Sequence, residues 1–228
     1  MNDVFKTIYN RRSHRRYTGR TISYDKLKAI ANAGLHAPTV NDLRDLEFVL
    51  VNDGRDITTM SNSADDQTWI RNAGGLIGVV SNPQRLNEYH DDGEAFIDRH
   101  VGAAMQNMLL ATQALGLGGC WVERYEDEPV EKLFSDRVGN DFGPDEDENL
   151  EAVLVVGYPD GKPPEKPPYH PSNHIFFDEY EERLEQHKYM RGQYYEQLKK
   201  IGYNVSKDAA STFPAFTKLL ERIKSFFQ

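Results

Sequence analysis

The stretch from Asp98 to Leu115 runs directly into "GLGGCWVE", and this passage restricts the fold more than any other in the chain. Val101, Met105, Met108, Leu109, Thr112 and Leu115 recur at three- and four-residue spacings, which predicts a helix with one long apolar stripe. The glycines stop that helix, and the apolar residues after them begin an extended run. A helix delivered straight into a strand needs a sheet to receive it. "LEFVLVND", "GGLIGVVSN" and "EAVLVVGYPDG" read as three further buried strands. Strands alternating with helices place the chain in the α/β or α+β class.

"MNDVFKTIYNRRS" carries Val4, Phe5 and Ile8 at helical spacing, predicting a short helix. "TISYDKLKAIANAGLHAP" predicts a second, with Ser23 as N-cap, Asp25 in the first turn, Leu27, Ile30 and Ala31 as its stripe, and Pro38 ending it. "YPDGKPPEKPPYHPSNH" is too rich in proline for regular structure and reads as a stiff, extended arm. Beyond it, "FFDEYEERLEQHKYMRGQYYEQLKKIG" reads as a charged helix and "FPAFTKLLERIKSFFQ" as a short amphipathic one. Such a tail either docks on this subunit or a partner, or folds back on its own domain.

The chain has 228 residues and a formal net charge of −9, so no long-range positive field favours nucleic acid or an anionic membrane. Its one cysteine, Cys120, excludes an intrachain disulfide. The first residues lack the apolar centre of a signal peptide, and no apolar run approaches the roughly 20 residues of a spanning helix. These features lead us to expect a soluble, cytoplasmic protein. Against the acidic balance stands "NRRSHRRYTG", with Arg11, Arg12, Arg15 and Arg16 packed around Ser13. Such a cluster is a solvated face, a nucleic-acid patch or a phosphate chelator. The net charge argues against the second, and arginine's planar fork suits the third.

Taken in order, "RRSHRRY", "AGLHAPTVNDLRDLEFVLV", "DRHVGAAMQNMLLATQALGLGGCWV" and "AVLVVGYP" resemble the nitroreductase family of flavin enzymes across residues 3 to 160. The resemblance implies an α+β fold, a central, mainly antiparallel sheet flanked by helices, in an intertwined homodimer with FMN at the subunit interface. It divides the chain into an FMN-binding core at 1–160 and a Pro-rich arm with a C-terminal helical extension at 161–228. It assigns Arg11, Ser13 and Arg15 to the FMN phosphate and ring edge, with Arg12 as a further candidate and Arg16 as a surface or interface residue. Thr39, Asn41 and Asp42 fall on the segment beside the flavin ring, where the family's usual amides and its Q-P-W are replaced by Asp42, Arg44, Asp45 and Leu46. Gln67 (or Asp66) falls where an amide reaches the ribityl chain or pyrimidine edge, just before Ala73 and Gly74. Val122, Glu123 and Arg124 supply the backbone N–H groups that point at flavin N5 and O4. Among late basic residues, Lys166 is carried forward for the phosphate beside Lys162 and His170.

The implied activity is transfer of a hydride from NAD(P)H through FMN to a small acceptor such as a nitroaromatic or quinone, by ping-pong kinetics. No glycine-rich dinucleotide fingerprint is present, because "GLGGC" follows a helix and enters a strand, the reverse of that motif's order. Two other readings stand beside it: an FMN-binding or sensing protein without turnover, and a metal-dependent hydrolase built on His90, Asp91, Asp92, Glu94, Asp98 and His100. Acids near a helix N-terminus are favoured by its dipole, so the expectation is no metal site. Cys120 and Trp121 read as packing residues.

Overall fold

The computed structural model describes residues 2–65, 67–87, 94–139, 148–163, 176–177 and 179–183. Thr7–Pro164 forms one compact unit. The elements are α1 (Asp3–Asn10), α2 (Tyr24–Leu35), β1 (Leu46–Val51), α3 (Gly54–Ser63), β2 (Gly75–Ser81), α4 (Pro83–Asn87), α5 (Glu94–Ala114), β3 (Gly118–Val122), α6 (Asp127–Val138) and β4 (Asn149–Gly157). Short 3-10 turns cover Val40–Asp42 and Thr68–Asn72.

The four strands form one sheet in the order β1-β2-β4-β3, antiparallel at every pair. Successive side chains alternate between its faces, so the apolar runs serve two cores at once. On one face Ile77, Val79, Leu154 and Val156 pack with Leu27 and Ile30 of α2 and with Val101, Met105 and Met108 of α5. On the other, Leu76, Val80, Val153 and Val155 pack with Met60 of α3 and with Val130, Leu133 and Phe134 of α6. A bulge between Val79 and Val80 pairs them with Ala152 and Leu150, so Leu150 joins the second core while Ala152 stays in the first.

The central helix begins four residues earlier than its apolar stripe suggests, at Glu94. It ends in a Schellman pair: Leu117 N–H donates to the Thr112 carbonyl at 3.0 Å, and Gly116 N–H to the Gln113 carbonyl at 3.1 Å. Gly116 takes the left-handed φ of 70° this closure requires. Leu115, counted in the stripe, is exposed because the chain has already turned away. Ser23 holds the N-cap position of α2 without a side-chain capping bond.

The expected charged helix from Phe176 is corrected at its start. Phe176–Phe177 and Glu179–Arg183 form a pair of antiparallel strands, β5 and β6. Phenylalanine and tyrosine favour extended backbone, and the strands satisfy each other's peptide groups locally. The rest of that segment, the amphipathic segment after it and most of the Pro-rich arm lie outside the described residues. Among the described residues, no helix is long and apolar enough to cross a membrane.

Candidate functional site

Two rings fix the arginine segment to the sheet. Gly118 and Gly157 face each other across the β3–β4 ladder, and His14 covers the first while Tyr17 covers the second. A Cβ at position 118 would stand 2.6 Å from the His14 ring, and one at 157 would stand 2.4 Å from the Tyr17 ring. Glycine within a strand therefore marks a close approach here. His14 N–H donates to the Gly119 carbonyl at 3.0 Å, and Ser13 bridges Gly119 in the parallel sense. Tyr17 bridges Pro159, its hydroxyl donates to the His14 carbonyl at 2.7 Å, and Asp160 N–H donates to the Arg16 carbonyl at 3.1 Å. Residues 13 to 17 thus extend the sheet beyond β3. Gly157→Ala is expected to lift Tyr17 from its seat and cost about 1–3 kcal/mol, the usual penalty of overpacking; a thermal melt reads the loss.

Burial pushes the Tyr17 hydroxyl and the Cys120 thiol up, and the cations of Arg11 and Arg15 partly oppose the rise at Cys120. Arg11 and Arg15 each stand two residues from Ser13, which bridges Gly119 on β3. The four arginines divide sharply. Arg12 donates to the Tyr9 and Arg11 carbonyls at 2.7 and 2.9 Å, closing the end of α1. Arg16 pairs with Asp160 at 3.7 Å. Arg11 and Arg15 have no acceptor or carboxylate partner among the described residues, and Ser13 stands half-buried between them. Two unpaired guanidiniums flanking a hydroxyl form a donor set that suits a phosphate dianion.

Burial, and next the Arg12 charge, hold the His14 imidazole below its ordinary value. The unfolded chain binds this proton near pH 6.5, while the folded chain binds it only at lower pH, so the unfolded state carries more protons between the two values. Stability supplied by neutral His14 is therefore full above pH 6.5 and falls as pH drops through that window. The slope is at most about 1.4 kcal/mol per pH unit. Denaturant titrations at several pH values are expected to show this component in the wild type and to lack it in His14→Gln.

At the far end of β3, Gln67 Nε2 donates to the Arg124 carbonyl at 3.1 Å, and the Arg124 guanidinium pairs with Asp65 at 3.3 Å. The structure therefore brings Gln67 and Arg124 together. Val122 is buried at the last rung of the ladder, opposite Val153, and Glu123 follows it exposed. Ala73 is buried, and Gly74 N–H donates to the Val156 carbonyl at 2.8 Å.

Thr39, Asn41 and Asp42 occupy a turn held from α5. Asn41 and Asp42 have φ of 51° and 56°, left-handed values that non-glycine residues rarely take. Asp42 N–H donates to the Thr39 carbonyl at 3.3 Å, and Asp42 pairs loosely with Arg44 at 3.8 Å. Val40 N–H donates to His100 Nε2 at 2.9 Å, while His100 Nδ1 lies 2.9 Å from both carboxylate oxygens of Asp45. Because Nε2 accepts, the ring proton sits on Nδ1 and is donated to Asp45. Asp45 is 0% exposed and His100 4%.

His100, weighed above as a metal ligand, is engaged in this way, and no cluster of three metal-ligating side chains occurs among the described residues. Asp66, His90, Asp91, Asp92, Lys166 and His170 lie outside the described residues. The sequence reading missed the seats of His14 and Tyr17, whose signal is the glycine within "GLGGC" and "VVGYP". It also missed the Asp45–His100 pair, which no local pattern announces.

Known proteins are similar to this chain in sequence and fold. The sequence model of the Nitroreductase family matches residues 8–76 and 64–158. A protein of Archaeoglobus fulgidus assigned as an NADH dehydrogenase/NAD(P)H nitroreductase is 31% identical over 161 residues, 70% of this chain and 87% of that protein. The NADPH-flavin oxidoreductase of Vibrio harveyi is 25% identical over 170 residues, 72% of this chain and 68% of that protein. Among solved structures, a Desulfovibrio desulfuricans protein assigned as a nitroreductase, in complex with FMN, superposes with a TM-score of 0.62 at 26% identity, covering 74% of this chain and 93% of that one. The family model spans well over half of the chain and the Archaeoglobus relative covers more than two thirds of it, so the chain belongs to the Nitroreductase family.

Proposed function

We propose that this protein is an FMN-dependent oxidoreductase that uses NAD(P)H to reduce a small acceptor such as a nitroaromatic or quinone. The observation that carries the reading is the pair of cations, Arg11 and Arg15, without a partner among the described residues and flanking half-buried Ser13, which bridges Gly119 on β3. These three residues would hold the phosphate, with charge-assisted bonds worth about 1.5–3 kcal/mol each. Arg12 and Arg16 serve the segment itself. Gln67 and the Val122–Arg124 backbone lie at the other end of β3 and would meet the ring side of the cofactor, where backbone N–H groups favour negative charge. The Thr39–Asp42 turn would stand beside the flavin ring, as the family resemblance implies, and would border the acceptor pocket there, and Lys166 is kept as a further phosphate contact. Bound FMN would supply the chemistry, taking a hydride from NAD(P)H and passing the electrons to the acceptor in alternation at one face.

The assembly is a homodimer with the cofactor between two copies, working in the cytoplasm; the family resemblance and the lone Cys120 support this. The core is 1–160, with 161–228 as an appended arm. A second reading keeps the cofactor without turnover. The Asp42–Arg44 ion pair favours it, since charges replace amides beside the ring.

Purified protein should carry the visible absorption of oxidised flavin and oxidise NADH or NADPH when a quinone or nitroaromatic is added. Bound flavin with no turnover on any acceptor would select the second reading. A colourless protein that takes up no added FMN would end both.

A further inference from the structure

We propose that the Asp45–His100 pair is the positioning element of the turn beside the flavin ring, setting how tightly the acceptor binds there while the phosphate contacts of Arg11, Ser13 and Arg15 keep the cofactor in place. The inference rests on the function proposed above. Its basis is a chain of three groups: Asp45 carboxylate, His100 imidazole and Val40 N–H, each 2.9 Å from the next. Asp45 and His100 are almost wholly buried, so their bond is shielded from water, while Val40 at the other end of the chain is half-buried. Asp45 is itself anchored, because its carbonyl accepts from Asn82 N–H at 3.0 Å. His100 stands on α5 within the apolar face that packs on the sheet, next to Val101 and one turn before Ala104.

The chain ends on the residue that precedes two left-handed positions. Asn41 and Asp42 hold φ values that cost free energy on their own, so the turn persists only where its surroundings over-determine it. Val40 N–H is the last fixed point before that strained pair. His100 is a positioning residue: it is 4% exposed and acts on the turn through Val40 N–H. Asp45 orients it by fixing the tautomer, as a carboxylate orients a ligating or catalytic imidazole elsewhere.

Two variants separate the halves of the imidazole. His100→Asn keeps a donor near the Nδ1 position for Asp45 but offers Val40 no acceptor. His100→Gln keeps an acceptor near the Nε2 position for Val40 but gives Asp45 no fixed donor. The full chain of each is reconstituted with FMN, and three quantities are read: flavin content, KM for a quinone acceptor, and hydrogen–deuterium exchange of the peptide containing Val40. His100→Asn should bind FMN as the wild type does, raise KM about tenfold and speed Val40 exchange by about tenfold, the effect of one lost hydrogen bond. His100→Gln should change both by less than about twofold while melting at least as low as the asparagine variant, because it leaves the Asp45 carboxylate without its donor.

Equal effects of the two variants on KM and exchange would overturn the proposal, and so would no effect of either. Should the wild type neither hold flavin nor turn over, the function reading fails, and the exchange comparison alone still decides whether His100 holds the turn.

Discussion

Replacing Arg11 and Arg15 together with alanine is expected to weaken FMN binding by about 10²- to 10⁴-fold and to leave the melting temperature of the apoprotein unchanged or slightly raised. The affinity loss follows from two charge-assisted bonds to a phosphate dianion at about 1.5–3 kcal/mol each. The unchanged stability follows from the structure of the segment. His14, Tyr17 and the backbone bonds to Gly119, Tyr158 and Pro159 hold it, while neither guanidinium has a partner among the described residues. Removing two neighbouring like charges relieves repulsion. Fluorescence titration with FMN and a thermal melt without it check both halves. The double variant Arg12→Ala/Arg16→Ala is the control, and it should move stability more than affinity because those side chains close α1 and pair with Asp160.

His100→Leu is expected to destabilise the core by about 3–5 kcal/mol, a fall in melting temperature on the order of 10 °C. Leucine fills much the same space, so the loss is not that of a cavity. It comes from leaving the Asp45 carboxylate, 0% exposed, with its imidazole partner gone. Adding Asp45→Leu to the same chain should recover much of the loss, since an apolar pair demands no compensating charge. A double-mutant cycle by denaturant unfolding measures the coupling. Additive losses would show that the pair contributes nothing beyond its separate members.

What could be read from the sequence was what repeats locally. The stripe of α5 was legible because Val101, Met105 and Met108 return to the core at helical spacing. Its first turn was not, because Glu94 and its neighbours follow a polar, His- and Asp-rich stretch with no stripe of its own. The four strands were legible as dense apolar runs, since a sheet covered on both faces buries successive residues alike. α3 escaped notice because Thr58, Thr59, Ser61 and Asn62 are poor helix formers, and only Ile57 and Met60 mark its buried side. α6 carried sound signals, acids in its first turn and a left-handed Gly139 at its end, yet its apolar stripe is short.

At the site, the arginines were visible as a cluster, but not their division of labour. That division depends on Tyr9, Arg11 and Asp160 carrying acceptors at the right distance from Arg12 and Arg16. The seats for His14 and Tyr17 lie about 104 and 140 residues away at Gly118 and Gly157, and the Asp45–His100 bond spans 55 residues. Such pairings are set by the register of the sheet and the placement of α5, which no short-range pattern encodes. The misread helix at Phe176 shows the converse: charge and aromatic content fit a helix locally, while strand pairing with Glu179–Arg183 decided the outcome.

In the proposed function the arginine segment recognises a phosphate. Titrating the wild-type apoprotein with FMN and, separately, with riboflavin tests it most directly, because the two ligands differ only in that group. FMN is expected to bind about 10²- to 10⁴-fold more tightly, in proportion to two charge-assisted contacts. Equal affinity for the two would contradict it and return Arg11 and Arg15 to the solvated surface.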